Sequence, residues 1–379
     1  MRAYIKEAGY NGNIKINKFL KTVDLGDSPY LVSIGIYAIK NSQEYYENLY
    51  NTFKEQFKDE RIIDLYRRGD YENIYKYIFP IFAKGPIIIG LTNKLLLISR
   101  VVFDLFMGEK TYYTRPGISI AIVSDTAKLK HDLIYPFLVT CYSPIMTNMK
   151  HLARVILQCP HYYMSDGYNI LKGHIKKMYW ETEYDQFIDK INSYCFNDLY
   201  ILEQFLTIRS TLPIIKRAFK HLKGDDEVFF IHDTDYMYEK DVLENQMKQE
   251  LLVSYTQKNH NLMLKLLDEL SEFLLALFED CIHIHNHEES YDDERIMMLV
   301  KILHLVKQEN FEFQLLNEEW SFLMGIMDLY DERLSSFYKV RTLVDEQIRY
   351  HCFRLNEFLK DNTHNRRSLD VFKNRVNFQ

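Results

Sequence analysis

The sequence predicts a mostly helical protein with two parts: an N-terminal mixed α/β (α+β) part to about Lys223, then a C-terminal antiparallel helical bundle. Three observations carry this. All eight prolines lie at or before Pro213, and Gly325 is the only glycine after Gly224. Proline removes a backbone donor and clashes inside a helix, and glycine weakens one, so a long stretch nearly free of both can run helical. Two apolar stripes at helical spacing then occupy that stretch: Leu262, Met263, Leu266, Leu267, Leu270, Phe273, Leu274, Leu277 and Phe278, and later Leu334, Phe337, Val344, Ile348, Leu355 and Phe358. The β-rich runs, by contrast, fall mainly before Lys223.

In order along the chain, Tyr10-Asn11-Gly12-Asn13 carries the Asn-Gly signal of a tight hairpin. After Gly26-Asp27-Ser28-Pro29, the run Tyr30 to Ile39 alternates Val32, Ile34 and Ile36 and predicts a strand. Asn41 or Ser42 stands where an N-cap belongs, ahead of Tyr45, Tyr46, Leu49, Phe53 and Phe57 at helical spacing. A second aromatic helix is expected from Ile62 to Phe79, ended by Pro80. Ile87 to Gly90 is too short to decide between strand and helix, and Leu95 to Phe106 continues apolar up to Gly108. Ile118 to Val123 reads as a strand, Lys128 to Leu222 as mainly helical with breaks at Pro136, Pro144, Pro160 and Gly167, and Val228 to Ile231 as one more strand. Between the two long stripes lie shorter segments, Arg295 to Lys307 and Phe311 to Tyr330. Four helices would then cover one another. The expected organisation is 1–223, a basic aromatic-rich part; 224–360, an acidic bundle; and 361–379, a basic tail that has lost the apolar period.

Composition narrows the class. Hydrophobic residues at 47% and aromatics at 15% exclude disorder over most of the 379 residues. Five cysteines without paired spacing, and no basic-then-apolar leader, point to an intracellular, cytoplasmic protein with reduced thiols. The most apolar run, Ile87 to Met107, carries Lys94, Arg100 and Asp104, so no membrane span is expected. The net charge of −6 hides an asymmetry: residues 1–223 hold 30 Lys+Arg against 22 Asp+Glu, and residues 224–379 hold 17 against 31. Opposed parts of this kind attract each other within one molecule or between copies, or face different partners.

Four groups of residues bear on chemistry. The run Asp225-Asp226-Glu227-Val228-Phe229-Phe230-Ile231-His232-Asp233-Thr234-Asp235 ends an apolar strand in Asp-x-Asp, where two carboxylates suit Mg²⁺ or Mn²⁺ beside a phosphate. The competing reading is a helix start capped by Asp233 or Thr234. In Cys281-Ile282-His283-Ile284-His285-Asn286-His287, an extended chain would send Cys281, His283, His285 and His287 one way. In a helix only His283 and His287 share a face, a spacing that can grip zinc, and a polar helix end explains the cluster equally well. Basic and aromatic residues mix at Arg61, Arg67, Arg68, Tyr71, Tyr75 and Lys76, again over 172–180 and 216–223, a blend suited to nucleic acid or to solvated helix faces. Arg154 and His161 have a spacing that would suit a phosphate clamp with an acid/base, but Pro160 interrupts the helix such a site needs.

The segment Lys223-Gly224-Asp225 through Asp235, with Leu243-Glu244, locally resembles the Asp-x-Asp region of nucleotide-sugar glycosyltransferases, and Leu31 to Phe57 resembles their first strand and helix. That resemblance implies a metal-dependent enzyme in which Asp233 and Asp235 hold Mn²⁺ or Mg²⁺ and the nucleotide diphosphate. The stripes and the opposed charges favour a different expectation: a non-catalytic binding or assembly subunit that contacts protein or a second copy of itself, with nucleic acid as a further partner of the basic part. No cofactor is then expected, apart from zinc at the histidine cluster.

Overall fold

The computed structural model describes residues 2–9, 15–17, 21–38, 40–83, 87–107, 122–123, 126–127, 133–143, 145–158, 172–173, 176, 229–232, 252–255, 261–287, 293–306, 310–316, 319, 322–323 and 326. At its centre the first strand, β1 (Arg2–Ala8), pairs antiparallel with β4 (Tyr30–Ala38), in register Tyr4↔Ile36 and Ala8↔Val32. Strand β5 (Ile87–Asn93) continues the sheet antiparallel to β4, with Ile34 opposite Ile89. A separate two-stranded ribbon joins β2 (Lys15–Asn17) to β3 (Thr22–Asp24). Three later strands complete the main sheet: β6 (Phe229–His232) lies parallel to β1, β7 (Leu252–Tyr255) parallel to β6, and β8 (Phe311–Gln314) parallel to β5. The order is β7-β6-β1-β4-β5-β8, a mixed sheet.

Every residue of β5 is buried, which explains its unbroken Ile-Ile-Ile run: a strand covered on both faces needs no alternation. One face carries Tyr4, Val32, Ile34, Ile36, Ile87, Ile89 and Leu91 into the main core. On the other, Ile5, Leu31 and Ile88 are buried as well. Over the main core lie α1 (Lys40–Phe57), three short helices α2 (Ile62–Arg67), α3 (Tyr71–Tyr77) and α4 (Phe79–Ala83), the long α8 (Leu262–Asn286), and α9 (Glu294–Leu305). Helix α5 (Lys94–Met107) follows β5 directly, and α6 (Tyr135–Tyr142) and α7 (Met146–Gln158) follow in turn.

The described part is mostly helical, as expected, but several elements differ. The single helix expected over 62–79 is three short ones, because Gly69 turns the chain at φ +77° between α2 and α3. Pro80 does not end a helix; it lies in the first turn of α4, where its missing N–H costs nothing. Ile122 and Val123, read as part of a strand, are helical. Phe311 to Gln314 is strand β8, not the start of a helix, and Phe311 stacks on Phe313 at 5.1 Å. Among the described residues, helix α8 is covered largely from outside its own segment. Fifteen of its 25 residues are buried, far more than one stripe supplies, because it crosses β1 and β4 and also meets α1, α2 and α9. The expected hairpin tip at 10–13 and the second stripe at 334–358 lie outside the described residues.

One backbone position is tightly constrained. Gly9, just past β1, has φ +89°, and a Cβ there would sit 2.2 Å from the carbonyl oxygen of Tyr30. Only glycine satisfies both conditions. Gly9→Ala is therefore expected to lower stability by at least about 2 kcal/mol, measured as a shift of the urea midpoint at unchanged slope.

Candidate functional site

Helix α8 is where charge and burial meet. Asn261 caps it by accepting a hydrogen bond from the Leu264 amide at 3.2 Å, and its leucines pack on the sheet. In the middle of this apolar surface stand two acids, Asp268 and Glu269, only 7% and 6% exposed. Each is met from the basic part of the chain. Tyr50 of α1 donates its hydroxyl to Glu269 Oε1 at 2.8 Å, the Ile62 amide donates to Oε2 at 3.0 Å, and Lys54 Nζ lies 2.6 Å from Oε1. Arg61 reaches Asp268 at 3.4 Å and Glu272 at 2.6 Å, and Lys6 approaches Asp268 at 3.7 Å. Burial, reinforced by Glu269, pushes the Tyr50 phenol well above its ordinary range, so it stays a donor.

Two further polar groups flank this clasp. Towards the C-terminal end of α8, Tyr66 donates to Asp280 at 2.6 Å, Arg295 lies 3.9 Å from the same carboxylate, and Asp293 caps α9 by accepting from the Arg295 amide at 2.8 Å. Tyr75 donates to Glu294 at 2.6 Å while Lys301 sits 3.9 Å over its ring. Near the same end of α8, where β4 begins and β5 stops, Tyr30 and Asn93 both donate to Glu319 Oε1 at 2.7 Å. The buried Lys94 donates to the carbonyls of Leu25 and Ser28 at 2.7 and 2.6 Å, and the Ser28 hydroxyl donates to Glu279. Burial raises the Glu279 carboxyl above the usual carboxylate range, against the lowering effect of Ser28. These groups pin the 25–30 loop, the β5–α5 junction and α8 to one another.

The residues expected to carry chemistry are distributed as follows. Asp233 and Asp235 lie outside the described residues, as do His161 and the 216–223 cluster. Arg154 is exposed on α7. Residues 281–286 are the last turns of α8, so the extended arrangement of Cys281 with the histidines is not formed. Cys281 points into the core, where burial raises its thiol far above the ordinary value. His283 and His287 share the exposed face, their rings stacked at 4.0 Å, whereas His285 lies apart against Phe322 at 4.8 Å. Among the described residues no three His, Cys, Asp or Glu side chains gather as a metal set. Of the basic set at 61–76, Arg61 and Tyr75 face acids of α8 and α9, Arg68 pairs with Glu60 and Asp70, and Lys76 lies over Tyr77. No described helix is long and apolar enough to cross a membrane.

The sequence reading passed over Asp268 and Glu269. Their signal is the acidic pair itself, set inside a leucine stripe where a bundle helix would carry apolar or small residues, and matched by the excess of basic residues before Lys223. Comparison with protein-family models, with curated proteins and with solved structures gives no match.

Two outcomes are expected. Glu269→Ala strands the Tyr50 hydroxyl and the Ile62 amide and leaves Lys54 with the Glu60 carbonyl but no carboxylate, and should cost about 3 kcal/mol in denaturant titration, with Glu269→Gln losing less because it keeps an acceptor. The Asp293 carboxyl is held below the usual range, first by its hydrogen bond from Arg295, so its stabilisation is full above the unfolded-state value near pH 4 and fades as acid protonates the folded form. Asp293→Ala should therefore cost about 1 kcal/mol at pH 7, and the gap to the unmodified protein should close as the pH is lowered through and below about 4, followed by denaturation at several pH values.

Proposed function

We propose that this chain is a non-catalytic intracellular binding or assembly subunit whose partner is a protein, either a second copy or a different chain. One observation supports the reading. The groups best suited to acid, base or phosphate chemistry, Lys54, Arg61, Tyr50, Tyr66, Lys94, Asp268, Glu269 and Glu319, are each engaged with other groups of the fold. Among the described residues Lys6, Lys54 and Arg61 of the basic part are paired with Asp268, Glu269 and Glu272 of the acidic part, which weighs against a nucleic-acid surface at Arg61. Ile145, Leu262 and Leu305 are left as exposed large apolar side chains.

A second reading rests on strand β6. It lies inside the sheet, parallel to both neighbours, and Asp233 is the residue that follows its last position. Carboxyl ends of parallel strands are where α/β sheets take ligands, so a metal-dependent, glycosyltransferase-like enzyme using Asp233 and Asp235 keeps a physical basis.

Thermal denaturation with Mn²⁺ and a panel of nucleotide diphosphates and nucleotide sugars separates the two, since a ligand of the folded state alone raises the midpoint. The subunit reading expects no shift, together with concentration-dependent self-association or one reproducible partner in sedimentation. A rise that Asp233→Ala removes would install the enzyme reading instead, and a strictly monomeric chain with no specific partner would end the first.

A further inference from the structure

The last turn of α8 holds an arrangement that the internal ion pairs do not use. His283 and His287 are four residues apart, both exposed, with ring planes 18° from parallel and centroids 4.0 Å apart. The Nδ1 atom of His287 lies 2.8 Å from the carbonyl oxygen of His283. A carbonyl can only accept, so Nδ1 carries the proton and the lone pair of the neutral ring is on Nε2. This is the arrangement by which proteins fix the tautomer and direction of a metal-binding histidine: one ring nitrogen donates to a main-chain carbonyl and the other is left for the ion. From this geometry we propose that His283 and His287 form a two-point clamp for zinc, with water completing the coordination.

The positions suit the ion. A tetrahedral zinc with bonds of about 2.0–2.1 Å needs its two nitrogens roughly 3.3 Å apart with each bond in its own ring plane, so the two exposed rings, stacked at 4.0 Å, must rotate about their side-chain torsions to turn both lone pairs onto one ion. Imidazole selects zinc and its late first-row neighbours over magnesium, which prefers oxygen. His285 does not belong to the clamp, since it sits one face away against Phe322. Nor does Cys281, which is buried in the core. Clamping residues four apart staples the final turn of α8, where the capping amide of His287 also bonds back to the His283 carbonyl at 3.1 Å. The proposal is independent of either reading of the protein's function.

The test titrates zinc chloride into the full chain by isothermal calorimetry, beside the variants His283→Ala, His287→Ala and His285→Ala, with magnesium chloride as the comparison probe. The two clamp side chains are exposed, so their removal leaves the core alone, and far-ultraviolet circular dichroism verifies that each variant is folded. The expected result is zinc binding weakened at least about tenfold by either clamp substitution and unchanged by His285→Ala. The proposal is overturned if zinc binds all four proteins alike, if His285→Ala weakens binding as much as the other two, or if no zinc binding tighter than the order of 1 mM is seen.

Discussion

Two carboxylates buried in the apolar face of one helix govern how this molecule is assembled. A charge taken out of water is costly unless it is matched and hydrogen-bonded on the spot, and Asp268 and Glu269 are met by groups that arrive from elsewhere in the chain: Lys6 from β1, Tyr50 and Lys54 from α1, Arg61 and the Ile62 amide at the start of α2. The position of α8 over the sheet therefore has one good electrostatic solution. A slip of four residues would bring Leu264 and Lys265, or Glu272 and Phe273, into the places of Asp268 and Glu269, and leave Lys54 and Tyr50 without their carboxylate. Hydrophobic burial holds the layers together, and the acid pair selects which arrangement is held.

The same division of labour recurs towards the C-terminal end of the helix. Leu266, Leu270, Phe273 and Leu277 supply apolar area against Tyr4, Val32, Ile34 and the aromatic residues of α1 to α4, with Tyr30 meeting Phe278 edge-on at 5.0 Å and Tyr66 meeting Phe273 at 5.5 Å. Polar groups then fix orientation: Ser28 with Glu279, Tyr66 with Asp280. The phenol of Tyr46 is the exception. It is fully buried and its hydroxyl has no hydrogen-bond partner, so the ring is held for its packing, in spite of its polar atom.

Much of this was legible residue by residue. The alternation Val32, Ile34, Ile36 gave β4, the stripe from Leu262 gave α8, and the apolar run before Asp233 gave β6. What could not be read was partnership. A stripe states that a helix needs covering, not whether a helix or a sheet will cover it, and α8 found the sheet. Strand β8 was hidden because Phe311-Glu312-Phe313-Gln314 is too short for its period to separate helix from strand, and its pairing with β5 decides the matter. The charge asymmetry left open attraction within one molecule, between copies or to different partners, and which acids and bases meet depends on tertiary geometry that spacing does not encode. For the candidate sites, helical spacing alone separated His283 and His287 from His285, while the Asp-x-Asp pair remains known only by its place after β6.

The sheet also dictates a temporal order. Arg2 lies beside Phe229, and Ile89 beside Phe311, so β1 and β5 each keep one hydrogen-bonding edge open until a strand more than two hundred residues further along has been made. Translation at roughly 5–20 residues per second means a wait of ten seconds or more, during which that edge invites pairing with any neighbouring nascent chain. Closing such long loops also slows refolding of the finished molecule. Productive biosynthesis should consequently depend on holding the amino-terminal hairpin partner, β4, in place early, with chaperone shelter for the side where β6 will eventually dock.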